Sequence, residues 1–355
     1  MSLLFRYVFS SHARLLLLTL GVGVGLYLLT ELVERVDTFV EADTGLWVVV
    51  QYYAARLPSI IAQILPAVFL LASVITLCLM AHSRETTALQ AGGVSPDSVA
   101  FVLVLCGLFW GAAQLACSQF LGASGDAYAD RIWREQVRKR TAEMRVLDNV
   151  WFTDKAWIVS LDTLRQDGEG TGFVAYRLSD DGLRFVSIVR GPSFHADPGA
   201  WLVRDAVRIS PDTFVSEPPQ DMTLPLEQEA SVFFVSGQDN PQQLPLWLLG
   251  EAIGKLRGAG SNVEALLTAW HGKLAYAASL MVMAVLAAAI VSWWDNVYLA
   301  VALSMAVIFV TYALTLFGES MGQRGLLPPM LAAWGPDALL LILASLRLRL
   351  AGIHR

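Results

Sequence analysis

Charge is scarce in this chain. Only 16% of the 355 residues are Asp, Glu, Lys or Arg, against about 25% in ordinary soluble domains. The net charge of −6 is small, so no basic footprint for nucleic acid is present. Cysteine is scarcer still. Cys78, Cys106 and Cys117 all fall inside hydrophobic runs; their spacing fits no metal site and reads as buried thiols. The polar middle of the chain has no cysteine, so no disulfide is needed there. Catalytic signatures are missing too: HExxH, GxSxG and CxxC do not occur, and "GEAIGKLRG" has the wrong spacing for a P-loop and lacks its hydroxyl. The five histidines are scattered; His195 and His271 are isolated ligand candidates at most. The expectation is no catalytic residue and no metal site.

What the chain has is hydrophobic length. Apolar residues make up 55% of it, and mean hydropathy is +0.53. About 20 apolar residues cross about 30 Å of hydrocarbon. Six segments qualify, near 13–34, 57–80, 98–121, 272–293, 297–317 and 329–350. The first is followed by Glu31, Glu34, Arg35 and Asp37 rather than by a cleavage site, so it reads as a retained span. Phe39 to Arg56 reads as an interfacial or helical lead-in to the second. Gln63 and Gln114 are expected to face other helices, and Pro58, Pro66 and Pro336 are candidate bends. Arg6, Arg14 and Arg84, with Arg347, Arg349 and Arg355, place both termini and the loop after span two in the cytoplasm by the positive-inside bias.

Between spans three and four, 123–270 is polar. It opens on a basic, helix-permissive stretch with Arg131, Arg134, Arg138, Lys139, Arg140 and Arg145. Short β-branched and aromatic runs come next ("WIVSL", "GFVAYRL", "LRFVSIV", "AWLVRD", "SVFFV"), separated by turn residues such as "GEGTG", "SDDG" and "DPG". They predict one all-β domain over about 145–236, a sandwich or jelly roll. The stretch "PLWLLGEAIGKLRGAG" reads as a helical return, stopped by Gly258 and Gly260. The predicted architecture is therefore 1–122 with spans one to three, 123–270 with the inserted β domain, and 271–355 with spans four to six.

Two places invite function. The first is "AHSRETTALQAGGVSPDS", 81–98. Ser83 is placed to cap a helix over about 83–93, with Glu85 in its first turn and Leu89 on the same side. Gly92 and Gly93 stop it; Ser95 caps span three, with Pro96 at its first position. Such a helix is either a lever that a soluble motor pushes or a plain connector. The second is the basic group beyond span three with Lys273 and Arg324, which offers guanidinium forks to lipid phosphate or is simply a solvated face. Within the spans, Asp337 beside Pro336 is the main carboxylate; a proton relay is otherwise poorly supported.

The ordered set "LPSIIAQILPAVFLLASV", "SRETTALQAGGVSP", "LPLWLLGEAIGKLRGAG", "TAWHGKLAYAASLMVMAVLAA" and "GLLPPMLAAWGPDALLL" resembles the LptF/LptG family, the membrane subunits of the bacterial lipopolysaccharide exporter. The last of these and "VLDNVWF" look more like LptG than LptF. The resemblance runs from end to end. It implies an inner-membrane permease with an LptF-like companion around a lipid cavity, driven by an LptB-like ATPase dimer that uses ATP and Mg; this chain itself would bind no cofactor. It implies a periplasmic jelly roll that passes lipid to LptC and an LptA-like bridge, and a loop helix that inserts into the ATPase through Arg84, Glu85 and Leu89. Lateral gates at spans one and five would fall at Leu26, Leu29, Val33, Val307, Leu314 and Phe317, with the membrane helix of LptC at one of them. Lipid contacts would fall among Arg35, Asp37, Arg131, Arg134, Lys273 and Arg324. Two departures stand out: Gly272 in "WHGK" replaces an arginine common in relatives, and the outer end of span one has Arg35 alone where relatives carry lysines. The competing readings are a membrane-anchored periplasmic adaptor, working through its β domain, and an ion-coupled transporter built on Asp337.

Overall fold

The computed structural model describes residues 2–138, 146–179, 184–230, 233, 244–258, 262–293 and 296–353. The chain falls into two compact units, Met1–Thr141 with Thr268–Arg355, and Ala142–Leu267. The first boundary lies at 141/142 instead of the expected 122/123, because the segment after span three stays with the helices.

The first unit is helical. Its elements are α1 (Ser2–Glu41), α2 (Leu46–His82), α3 (Glu85–Ala91), α4 (Pro96–Ala116) and α5 (Ala123–Ile132), where α4 and α5 are joined by a π-helical turn, Cys117–Gly122, and α5 runs into another, Trp133–Val137. Six helices are long and apolar enough to cross a membrane, as the sequence predicts. The first three are longer than predicted. α1 has 40 residues and α2 has 37, on the order of 55–60 Å each at ~1.5 Å per residue, about twice the hydrocarbon thickness. Phe39 to Arg56 is therefore no separate lead-in: α1 continues to Glu41, the chain turns at Asp43 (φ 51°), and α2 begins after Gly45.

Proline dictates one of the polar contacts here. Pro66 has no amide hydrogen, so the Ala62 carbonyl lacks its helical donor. Gln114 of α4 supplies one, with Nε2 donating to Ala62 O at 3.3 Å. Close crossings use glycine. A Cβ on Gly107 or Gly111 would collide with the backbone oxygens of Leu280 and Ala277 respectively. These two glycines are a small-xxx-small pair of the kind that lets membrane helices touch.

The second unit holds six strands: β1 (Val146–Asp154), β2 (Trp157–Arg165), β3 (Glu169–Leu178), β4 (Phe185–Asp197), β5 (Ala200–Ile209) and β6 (Gln220–Leu224). The all-β reading of this insertion holds. All five pairings are antiparallel and sequential, so the described strands form a meander in one sheet. The inner face alternates as a half-buried sheet must: Val159 and Leu161 on β2, Phe173 and Ala175 on β3, and Trp201 and Val203 on β5 are fully buried. Phe194 stacks on Trp201 at 5.4 Å. Asp154 ties the sheet to the segment beyond β6, its carboxylate accepting from the amides of Glu227 (2.6 Å) and Gln228 (3.1 Å). The helix α6 (Leu246–Gly258) is the predicted return, with Leu249, Ala252, Ile253 and Leu256 on its buried face.

The helical unit resumes with α7 (Glu264–Val291), α8 (Val297–Gln323) and α9 (Pro329–Ile353). Pro336 sits within α9 and leaves the Ala332 carbonyl without its helical donor. Gly318 of α8 comes up against that oxygen, so closely that a Cβ there would collide with it. Gly318 and Gly322 form a second small-xxx-small pair.

Candidate functional site

Six long spans raise the question of what moves them. The connection between α2 and α4 is ordered residue by residue. Ser83 ends α2, and its hydroxyl donates back to Leu79 O at 2.8 Å. The expected Ser83 cap on α3 is therefore not formed; the N-cap position is Arg84, in the left-handed region at φ 57°. That conformation makes a sharp corner between the helices, and it is one that side chains other than glycine and asparagine adopt at a cost. α3 then runs for 7 residues and stops at Gly92, with Gly93 at φ 82° as predicted. Ser95 and Pro96 start α4 as predicted, but the Ser95 hydroxyl meets Ser98 Oγ at 2.9 Å and makes no side-chain cap bond.

Within this corner the Glu85 carboxylate meets two hydroxyls. Ser83 Oγ lies 3.0 Å from Oε1, its one proton shared between that oxygen and Leu79 O, and Tyr7 of α1 donates to Oε2 at 2.8 Å. The Tyr7 contact is one that sequence reading misses, because 78 residues separate the partners and no periodicity reports it. Arg84 is exposed. Leu89 packs as a half-buried residue against the main helical core. Of the three residues expected on a partner-facing surface, Arg84 is exposed, Glu85 is half-buried and held by Tyr7, and Leu89 is turned toward its own protein. The reason is geometric: the sharp start at Arg84 lays α3 along the end of the helices.

The same end of the unit gathers other connections. Arg347, near the end of α9, donates to Ser292 O at 3.2 Å and lies 5.3 Å over the Trp293 ring. The start of α1, α3, the turn after α7 and the end of α9 thus cap the helical unit on one side.

At the other end of α1 the contacts are buried. Glu31, 7% exposed, pairs with Arg35 at 3.1 Å and with Arg56 of α2. Arg56 also donates to Tyr52 Oη at 2.9 Å. The Arg35 guanidinium lies 4.7 Å from the Trp133 ring centroid, and Trp133 meets Phe39 edge-on at 5.5 Å. The extension of α4 is anchored on α2 as well: Ser59 donates to Asp126 at 2.7 Å, and Gly125 lets α5 touch the Ala55 carbonyl. Arg35, expected to be a lipid contact, is thus engaged inside the protein. Asp37, Arg131, Arg134 and Arg324 are exposed, and Arg131 covers Tyr128 at 5.9 Å. Lys273 is half-buried on α7. Of these six candidates, Arg35 and the segment holding Arg131 and Arg134 are brought together, through Trp133. Arg138 is exposed; Lys139, Arg140 and Arg145 lie outside the described residues.

Two spans are nearly bare. Only 11% of the apolar window of α1 and 17% of that of α8 are buried, against 67% for α2 and 56% for α7. Leu26, Leu29 and Val33 are each 63–64% exposed, and their i, i+3, i+7 spacing makes them one stripe. On α8 the three gate candidates differ in exposure. Phe317 is 60% exposed, while Val307 packs on the core and Leu314 is half-buried. The open stripe of α8 runs instead through Met305, Phe309 and Leu316. The buried stripe, Ser304, Thr311 and Gly318, lies at heptad spacing on the opposite side.

His195 lies 3.2 Å from both Glu169 and Asp197 at the rim of the sheet, and His271 stands edge-on to Trp270. No group of three metal-ligating side chains occurs among the described residues. Compared with known proteins, the chain matches the model of a family described as "Lipopolysaccharide export system permease LptF/LptG" over residues 6–350. No curated protein matches it well enough to count as a relative. A match over nearly the whole length, on a chain with six membrane-crossing helices and an inserted antiparallel sheet, settles the assignment: the chain is a multi-pass membrane protein belonging to the LptF/LptG family of lipopolysaccharide export permeases.

Proposed function

We propose that this chain is the LptG-type half of an ATP-driven exporter in the inner membrane of a Gram-negative cell. It pairs with an LptF-like permease, extracts lipopolysaccharide from the outer leaflet and hands it through its periplasmic β domain to LptC and an LptA-like bridge. The observation that carries the reading is the pair of bare helices. α1 and α8 leave most of their apolar windows open, while α2 and α7 are packed. A lipid with several acyl chains needs a way in from the side, and two unpacked walls are what a lateral opening between two permeases requires.

Energy comes from outside the chain. Arg84, exposed, and Glu85, half-buried beside it, are the contacts offered to an LptB-like ATPase dimer that binds ATP and Mg. Both termini are then cytoplasmic with α3. The match leaves LptF and LptG undivided, and "GLLPPMLAAWGPDALLL" and "VLDNVWF" favour LptG. Gentle extraction of the tagged chain from native membranes tests the reading. A soluble P-loop ATPase and a second six-span permease are expected by mass spectrometry. Recovery of the chain alone, or with periplasmic proteins only, contradicts it and favours the membrane-anchored adaptor.

A further inference from the structure

A cavity of about 20 Å³ lies among α2, α7, α8 and α9 within the helical unit, room for about one water-sized particle. Its polar lining has one sign. Asp337 of α9 and Glu319 of α8 both face it. The hydroxyls around them have already committed their protons. Tyr276 and Tyr312 both donate to the Gln63 carbonyl, the latter at 2.7 Å. Ser279 donates to Tyr276 O at 2.8 Å, and Thr311 to Val307 O at 2.8 Å. A hydroxyl has one proton and two lone pairs, so each of these four oxygens turns only acceptor capacity toward the cavity. Thr315 alone keeps a hydroxyl proton to give, one donor against two carboxyls.

Asp337 is 92% buried (8% exposed), and no hydrogen bond or ion pair reaches its carboxyl from the described residues. A carboxylate at this depth needs a compensating positive charge. The protein does not supply one from the cavity wall. The titratable groups that line it are Tyr276 from α7, Tyr312 and Glu319 from α8 and Asp337 from α9; α2 contributes Pro66 and Ala67, and no lysine, arginine or histidine lines it. Lys273, which follows the lining residue Gly272 in sequence, acts electrostatically on Glu319, so among the described residues Glu319 has a cationic neighbour and Asp337 is the carboxyl left without one.

We propose that this cavity is a binding site for one small monovalent cation, held by Asp337 and the surrounding hydroxyl oxygens. An acceptor-only cage fits a cation and rejects an anion. One carboxylate without a cationic neighbour among neutral acceptor oxygens, in a space for one particle, suits a single charge better than calcium or magnesium, which take more anionic ligands or keep their water. Bound there, the ion ties α9 to α8 at the crossing that Gly318 and Pro336 already bring close. This site does not depend on the export reading, and its test does not use export.

The test is thermal unfolding of the purified full-length protein, with whatever subunits co-purify, in NaCl, KCl or LiCl against choline chloride at equal ionic strength, from pH 6 to 9. A saturable rise in Tm of a few degrees with an alkali cation is expected, because a ligand that binds only the folded state stabilises by mass action. Asp337→Asn should abolish that dependence, and Asp337→Glu should keep part of it. A Tm that follows pH but ignores the alkali cation would assign the charge to a proton on Asp337 and overturn the proposal. So would an alkali dependence that persists unchanged in Asp337→Asn.

Discussion

The two ends of α1 are held in different ways. At the Glu31 end, a buried carboxylate joins two guanidiniums, and aromatic rings from three helices close over them. At the Tyr7 end, Val8, His12 and Leu16 are buried in the helical core, with His12 3.0 Å from Ser73 Oγ, and one exposed hydrogen bond links the helix to Glu85 of α3. The first arrangement resists displacement, because separating its parts strands charge away from water. The exposed hydrogen bond is cheap to exchange, because water or a partner can take over each half. Of these contacts the Tyr7–Glu85 bond is the one open to exchange, and the bare stripe through Leu26, Leu29 and Val33 lies between the two ends. The bond is made to Glu85, the residue proposed to meet the ATPase.

Substitutions sharpen this contrast. Glu31→Gln should have the largest effect on stability. It leaves Arg35 and Arg56 facing each other without an anion. Loss of one partner of a fully buried pair costs ~3–5 kcal/mol; both arginines here keep a quarter to a third of their exposure, so about 2–3 kcal/mol is expected, read as a lowered Tm in detergent. Trp133→Leu should cost less, about 1–2 kcal/mol, since it removes a cation–π contact worth ~0.5–2 kcal/mol but keeps an apolar group in place. Tyr7→Phe should change stability by under about 1 kcal/mol. Its effect belongs to the partner: with Glu85 released, capture of the ATPase should tighten several-fold. If Tyr7→Phe destabilised the protein as much as Glu31→Gln, the contrast between the ends would be wrong.

An exposed pair in the other unit calibrates the scale. Lys155 lies 2.5 Å from Glu227, and the hydrogen bond to that carboxylate pushes the lysine above its ordinary value. A raised lysine stabilises below its unfolded value and loses that stability only as pH rises through the folded one. Lys155→Met should therefore lower Tm slightly at pH 7, by no more than an exposed ion pair contributes, and the difference should fade in strongly alkaline solution.

Much of the fold is legible in the sequence, where physics acts locally. Six apolar runs, the glycine stop after α3 and the turn at Asp197-Pro198-Gly199 follow from composition and backbone preference. The features that escape a sequence reading depend on distant partners. The junction of α1 and α2 reads as an interfacial or helical lead-in because it carries polar residues, yet Glu31, Arg35, Tyr52 and Arg56 pair across the two helices and both continue through it. Ser83 has the chemistry of an N-cap for α3, yet its hydroxyl closes the last turn of α2. The orientation of Leu89 and of Val307 depends on a neighbour no single helix announces. The close crossings at Gly107 and Gly111, and at Gly318 and Gly322, do leave a signal, the i, i+4 glycine spacing in "GLFWG" and "GESMG". The strand pattern is readable, whereas the sequential order of the sheet is a property of pairing that turn residues alone do not specify.

The central claim is that α3 transmits work from a soluble ATPase to a lipid-moving membrane unit through Glu85. The direct measurement is ATP-dependent release of lipopolysaccharide from proteoliposomes containing the co-purified complex, wild type against Glu85→Arg, with insertion verified by protease accessibility. The account predicts that the variant inserts and folds but loses release, because charge reversal removes both the Tyr7 tie and the partner contact. Release at the wild-type rate would contradict it and leave α3 as a connector.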